Sequence, residues 1–387
     1  MSRRSLIALS SAYFLLLCAA LGSGSLWPFY LAQLGGGASA AGIFNAVGNI
    51  ASVAATLLSG WLAGRFGRRK LLFLLSCALF AVTWWLMGRA RTWQELTLIN
   101  FFGGFTFGMG TNLILILTGL LADAAQRGRS FGLLSLTMGA SLLVSGVTFG
   151  PIADRWGFPT LMAVNAAICA VCLAPGLFLV EPAVSAAATP DPAAPSAPAG
   201  AGLGRRFYFL VATALIISIA SFGGNLGRSI VMSQYGFSAT AISLTTAIGG
   251  AVSLPAPLLI GWLSDHIGRK RLLLLCLVAG FFALVAFAFA GSAWGFWGAS
   301  VLLALMMSAQ PLMQALAADM LPPAAVGVGL SLISGATSVG LFVSSLGMGF
   351  AIQQAGGRPA FLAIALAPLL AMAMTALSVT GQPRRRA

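Results

Sequence analysis

Residues 5 to 64 contain no charged side chain, and neither do residues 272 to 318. Each stretch is about long enough for two helices of roughly 20 residues, the length that crosses the hydrocarbon core of a bilayer. Composition carries the constraint through the whole chain. Of 387 residues, 59% are hydrophobic and 7% charged, and the mean hydropathy is +0.96. A soluble domain carries about 25% charged residues, so the expected class is all-α and membrane-integral.

Twelve spans are expected, at about 6–30, 40–63, 71–88, 95–121, 130–152, 159–180, 207–232, 239–263, 272–290, 294–318, 326–352 and 359–380. Arg3 and Arg4 before an apolar run, with Ala38-Ser39-Ala40 further on, resemble a signal peptide. The uncharged run from Ser5 to about Leu31 is longer than the roughly 7–15 residues of such a segment's apolar core, so span 1 is expected to be retained. Residues 181–204 break the pattern with Pro182, Pro190, Pro192, Pro195 and Pro198 in an Ala-rich setting, the composition of a flexible linker. The expected organisation is therefore a bundle at 1–180, a cytoplasmic linker at 181–204 and a second bundle at 205–387.

The two bundles look like copies. Gly60 to Lys70 reads G-W-L-A-G-R-F-G-R-R-K, and Gly261 to Arg271 reads G-W-L-S-D-H-I-G-R-K-R, at an offset of 201 residues. Gly60/Gly261, Trp61/Trp262, Leu62/Leu263, Gly67/Gly268 and Arg68/Arg269 are identical. Gly157-Phe158-Pro159 matches Gly357-Arg358-Pro359 at an offset of 200, and Asp123 matches Asp319 at 196. A basic turn repeated at half-chain spacing between apolar runs is the mark of a duplicated membrane bundle with parallel repeats.

A net charge of +14 invites a nucleic-acid partner, but the placement of the charges points to membrane topology instead. With the N-terminus inside, 16 of the 21 lysines and arginines fall in inside segments and five outside. That split follows the positive-inside rule and puts both termini in the cytoplasm. Cys18, Cys77, Cys169, Cys172 and Cys276 all lie in apolar runs, where a small buried hydrophobe is expected despite the C-x-x-C spacing of Cys169 and Cys172. His266 is the single histidine, and the seven acids are scattered by loop. Neither a metal site nor clustered catalytic groups are expected; no cofactor and no enzymatic activity follow.

Twelve spans, a six-plus-six duplication and a G-x-L-x-D-R-x-G-R-[RK] turn after spans 2 and 8 resemble the major facilitator superfamily of secondary transporters. The resemblance covers essentially the whole chain and implies two rigid halves rocking in alternating access. It implies a cytoplasmic latch at the turns, in which an acidic residue faces the N-terminal end of a helix across the seam. The second copy keeps the acid as Asp265, whereas the first has Gly64; Arg65 holds the family's arginine position, and His266 replaces it in the second copy. Gating candidates are thus Gly60, Arg65, Arg68, Gly261, Asp265 and Arg269, with Arg129 or the start of span 5 as the partner of Asp265. Glu95 and Arg228 are candidates for an outer gate, the alternative being that each is simply interfacial.

The resemblance also implies that spans 1, 4, 7 and 10 line a central cavity. Span 7 carries Ser218, Ser221, Asn225 and Arg228 at spacings of three and four, hence on one helix face. Span 10 carries Gln310 and Gln314 beside Pro311, which should kink it, and span 4 carries Asn100 and Thr111. Ser221, Asn225, Arg228, Gln310, Gln314, Asn100 and Thr111 are the cavity candidates, against the alternative of hydrogen bonds between helices without cargo. Spans 2, 5, 8 and 11 would form the seams between halves, through Gly48, Ser52, Gly146, Gly150, Gly249, Gly250, Gly335 and Gly340. Gly150-Pro151 resembles the family's antiporter motif but lies three residues before Asp154, at the expected end of span 5.

No acid lies in the middle of a span. The expected function is secondary transport of a neutral or amphipathic small organic molecule across a bacterial inner membrane, with drug-like efflux first. Uptake or facilitated diffusion of a metabolite without proton coupling is the alternative, ahead of a sensor or a membrane enzyme. Expected partners are the small-molecule cargo and membrane lipid, with a coupling proton as a further candidate.

Overall fold

The computed structural model describes residues 3–121, 127–179, 204–321 and 325–378, and every regular element among them is a helix. Chain order gives α1 (3–33), α2 (Ala38–Phe66), α3 (Arg69–Met87), α4 (Trp93–Leu121), α5 (127–156) and α6 (158–177). The second half gives α7 (Arg205–Gln234), α8 (239–267), α9 (Arg269–Phe289), α10 (293–320), α11 (Val326–Ala355) and α12 (357–378). Among the described residues ten spans are long and apolar enough to cross a membrane, α5 and α6 forming one of them; α8 is built from two shorter pieces. All but the last residue of the expected linker lies outside the described residues.

The chain divides into two compact units. One holds α1–α6 together with Leu226–Leu254 and Ser345–Gln354; the other holds the remainder of α7, α8 and α11 with α9, α10 and α12.

Proline sets where the helices break. Lacking an N–H, it cannot bond the carbonyl four residues back. α6 breaks at Cys172, α10 at Ser308 and α12 at Ala365, in each case three residues before a proline: Pro175, Pro311 and Pro368. α8 breaks at Leu254–Pro255. α1 is interrupted by a short 3-10 turn at Gly24–Leu26. Pro151 is tolerated inside α5, which runs on to residue 156 rather than ending at 152, so Gly150-Pro151 sits within the helix.

Glycine sets where the chain turns. The described residues hold six glycines with positive φ, and they form three pairs related by the duplication. Gly35 and Gly236 (φ 79° and 74°) follow α1 and α7; Gly67 and Gly268 (65° and 88°) close the two basic turns; Gly157 and Gly356 (79° and 83°) join the last two helices of each half. A side chain in this region clashes with the following carbonyl, which explains the identity of Gly67 and Gly268. The third pair corrects the sequence alignment by one residue, because Gly356 and not Gly357 is the left-handed equivalent of Gly157.

Within the first unit α2 and α4 run parallel and in register. Asn100 Nδ2 donates to the Phe44 carbonyl at 2.8 Å, and Asn112 Nδ2 to the Thr56 carbonyl at 3.0 Å. Between these ties the backbones nearly touch. A Cβ on Gly104 would lie 2.2 Å from the Gly48 carbonyl oxygen, and one on Gly108 2.3 Å from that of Ser52. Gly48 and Ser52, expected at a seam between halves, therefore face α4 of their own half. The α2–α11 contact uses Gly42 instead, whose Cβ would lie 2.5 Å from the Ser345 carbonyl oxygen and 3.2 Å from Gly349 Cα. The α5–α8 contact does use the expected glycines. A Cβ on Gly146 would lie 2.3 Å from Ala247 N, on Gly150 2.1 Å from Ser243 Oγ, and on Gly250 2.4 Å from Leu143 N. Gly340 faces Ser218 of α7 within the second unit, and open space surrounds Gly249 and Gly335.

Gly104→Ala is expected to cost about 1–3 kcal/mol, because the overpacked side chain must push α2 and α4 apart. Gly60→Ala has open space and should stabilise slightly through helix propensity. Thermal unfolding of the two purified variants in one detergent checks the contrast.

Candidate functional site

In the second unit α7, α10 and α11 meet around one glutamine. Gln310 Nε2 donates to Ser218 Oγ at 3.0 Å, and the Thr337 hydroxyl lies 3.4 Å from Gln310 Oε1. Ser218 is fully buried and its hydroxyl also donates to the Ala214 carbonyl. Two local features allow the approach. The break at Ser308 re-aims the α10 segment Ala309–Met320, and Gly340 lets α11 close on Ser218, where its Cβ would lie 2.7 Å from that of the serine. Asn225 Nδ2 donates to the Ser221 carbonyl at 3.0 Å and lies 3.5 Å from Met307 Sδ. Ser221 Oγ is buried with no hydrogen-bond partner among the described residues. Gln314, one turn beyond Gln310, is exposed. Arg228 lies on the part of α7 that belongs to the first unit, 5% exposed.

Of the α4 candidates, Asn100 is engaged by α2 as described, and Thr111 bonds back to its own helix at Phe107. Glu95 caps α4. Its carboxylate accepts from Arg91 N at 2.8 Å, while its own N–H donates to Thr92 Oγ1 at 3.2 Å. This T-x-x-E arrangement satisfies donors that the first helical turn leaves orphaned.

The basic turns hold the ends of their own bundles. Lys70 Nζ donates to the Leu177 carbonyl at the end of α6, and Lys270 Nζ to the Ala376 carbonyl near the end of α12. The two lysines, 200 residues apart, thus make the same C-terminal cap in both halves. Arg269 pairs with Asp319 and donates to the Ala315 carbonyl at 3.1 Å, closing the last turn of α10. A Cβ on Gly60 would have nothing within 4 Å, and Arg65 and Arg68 are exposed. The side chains of Arg129, Gly261 and Asp265 lie outside the described residues, and so does the proposed pairing of Asp265.

Sequence reasoning passes over four side chains that make contacts between helices. Asp154 was placed in a loop, yet its carboxylate receives three hydrogen bonds from the start of α8: Ala239 N at 2.9 Å, Thr240 N at 2.8 Å and Thr240 Oγ1 at 2.6 Å. The usable signal was Ser238-Ala239-Thr240 opening span 8, a helix start that favours a negative charge. Lys70 and Lys270 read only as topology signals, because the offset of 201 pairs Lys70 with Arg271 and Lys270 with Arg69 and hides their shared contact. Thr337 carried no signal, since a threonine in an apolar span usually bonds its own helix, as this one also does at Ile333.

Three comparisons bear on this geometry. The profile described as Major Facilitator Superfamily matches residues 9–227 and again residues 208–387. A relative named multidrug resistance protein MdtG, from Klebsiella pneumoniae (strain 342), is 29% identical over 287 residues. That alignment spans 68% of this chain and 66% of the relative, slightly under two thirds of its length. Among solved structures, the nucleoside transporter NupG superposes with a TM-score of 0.76 at 14% identity, covering 96% of this chain and 99% of that one. A bacterial homologue of the human lysosomal transporter Spinster, in an inward-facing and unoccupied conformation, superposes with 0.77 at 15% identity, covering 98% of each. At these identities the two structures establish the fold alone.

Asp319→Asn should lower stability by no more than about 1 kcal/mol, because an ion pair this exposed is screened by solvent. Lys270→Met should lower it comparably by uncapping α12. Thermal unfolding in detergent reads both, and a loss of several kcal/mol from Asp319→Asn would show that the pair does more than close its turn.

Proposed function

We propose, for a chain that belongs to the Major Facilitator Superfamily, that its cargo is a neutral or amphipathic small organic molecule moved outward by alternating access. The chain is a multi-pass membrane transporter; the cargo class, the direction and a bacterial inner membrane are the inference.

The observation that carries the cargo class is the Gln310 cluster. Its polar atoms are amide and hydroxyl groups, from Gln310, Ser218 and Thr337, with Asn225 beside the Met307 sulfur. Among the described residues the acids Glu95, Asp154, Asp265 and Asp319 all occupy terminal turns of helices. A multiply charged cargo entering such surroundings would lose hydration without meeting a counter-charge, whereas a molecule with an apolar body and one or two hydrogen-bonding groups would be matched. Among directions, the name of the MdtG relative supports efflux. The excess of lysine and arginine at the basic-turn end supports placing that end, and both termini, in the cytoplasm. Trp61 and Trp262, exposed at matching positions beside the two turns, suit the interfacial belt of that face.

A second reading, uptake or facilitated diffusion of a metabolite without proton coupling, is favoured by the same lack of a mid-span carboxylate, since a coupled carrier needs a titratable group on its path.

Flux in proteoliposomes, across a panel of neutral, amphipathic and multiply charged compounds with and without an imposed pH gradient, tests both readings. Transport confined to neutral and amphipathic compounds is expected. Gln310→Ala should lower kcat/KM for such a compound about tenfold, the effect of losing a buried hydrogen-bonding group. Asn100→Leu should act on stability and leave KM within about twofold, because its amide ties helices together. Flux that ignores the gradient favours the facilitator, and binding without flux would overturn transport of this cargo.

A further inference from the structure

We infer that Asp154 is the latch that holds the α5–α8 seam shut at the end of the bundle opposite the basic turns. The inference rests on the alternating-access reading and adds to it the residue that sets how readily this end opens.

The first turn of an α-helix leaves its leading N–H groups without intrahelical partners. In α8 the N–H of Ala241 is met from within, by Ser238 Oγ at 3.2 Å. Those of Ala239 and Thr240 are met from the other sequence half, each by one oxygen of Asp154. The Thr240 hydroxyl adds a third bond to the same carboxylate. One anionic side chain thus completes the cap of a helix in the opposite half. Its charge lies where the helix dipole favours it, and its hydrogen bonds are of the strong, charge-assisted kind.

The seam below the contact is closely packed. One turn before Asp154, Gly150 is packed against the Thr240 Cα and the Ser243 hydroxyl, and a turn further Gly146 is packed against Ala247 N. The carboxylate itself is exposed at the end of this packed seam, held there by the start of α8. Separation of α5 from α8 at this end leaves both N–H groups to water together, with the loss of the charge-assisted bonds.

The duplication provides an internal comparison. By the offset of 199 that relates Gly157 to Gly356, the counterpart of Asp154 is Gln353. This side chain sits at the matching place, with its Oε1 2.5 Å from where a Cβ on Gly37 would be, beside the start of α2. The α2–α11 seam therefore carries a neutral amide where the α5–α8 seam carries a carboxylate. Among the described residues the charged contact lies on the α5–α8 seam and its counterpart on the α2–α11 seam is neutral.

A thiol reporter tests this. Ser243 is fully buried at the seam, and the native cysteines are buried too. Ser243→Cys, in protein reconstituted in nanodiscs, is labelled with a hydrophilic maleimide in the presence and absence of the latch. Asp154→Ala is expected to speed labelling at position 243 about tenfold, and Thr240→Ala, which removes one of the three bonds, about twofold. A second reporter, Ser59→Cys, is buried toward the basic-turn end of α2 and should be labelled no faster in the Asp154→Ala background. If Asp154→Ala is not recovered folded, Asp154→Asn carries the same test, with an expected rise of at least threefold. Labelling at position 243 that stays within twofold of the parent overturns the latch. So does a parallel rise at both reporters, which would mean general loosening. No cargo enters the measurement, so a wrong cargo assignment leaves its outcome intact, and unchanged labelling beside normal transport overturns the latch alone.

Discussion

Lipid offers no hydrogen bonds to a peptide group, and most polar side chains in this chain are committed to that shortage. At several helix ends and close backbone approaches, a side chain from another helix supplies a hydrogen bond. Lys70 and Lys270 serve the last carbonyls of α6 and α12, and Arg269 serves α10. Asn100 and Asn112 serve carbonyls of α2, and Asp154 serves the N–H groups of α8. With only 7% charged residues the chain has few groups to spare. The contrast isolates Gln310, Ser218 and Thr337, where polar side chains bond one another across three helices. Both hydroxyls also bond carbonyls of their own helices, so the glutamine is the member of the cluster whose bonds run to side chains rather than to a backbone.

The duplication is deeper in the backbone than in the side chains. Three pairs of left-handed glycines and one pair of capping lysines recur at closely similar offsets, although identity between the halves is confined to short stretches. What recurs are positions where few residue types can serve: a positive φ, or a long cation reaching a carboxyl end. Where chemistry is free to differ it does, as Asp154 against Gln353 and Gly64 against Asp265 show. The halves share a scaffold and differ in side chains at matching helix ends.

Much of the scaffold was legible before any coordinates. Twelve spans, the single joints between them and the family follow from apolar length, charge placement and the repeated turn, because each is a property of the chain read one residue at a time. The rotation of each helix was not legible. In a soluble helix the polar face announces the outside; here the outside is lipid and the helices are apolar all round. Gly48 and Ser52 could be seen as small but not as facing α4, and Gly42 and Gly349, which do meet across the halves, drew no attention. Asp154 was missed for a related reason. Span 5 was ended at residue 152, before the acid, because a charge reads as a loop; α5 in fact continues to 156 and carries the carboxylate on its last turn to the start of α8.

The register of α2 against α4 constrains how the first half can move. Residues 44, 48, 52 and 56 meet 100, 104, 108 and 112, a constant separation of 56. These are teeth of a rack, spaced about 6 Å apart at 1.5 Å of rise per residue. Sliding by less than one tooth drives a carbonyl into a Cα, and sliding by a whole tooth would break both asparagine ties. Neither helix has an internal break over its 29 residues. The pair is therefore a single stiff spar that can tilt but not shear, and bending falls on the interrupted helices, α1, α6, α8, α10 and α12, and on the joint at Gly157.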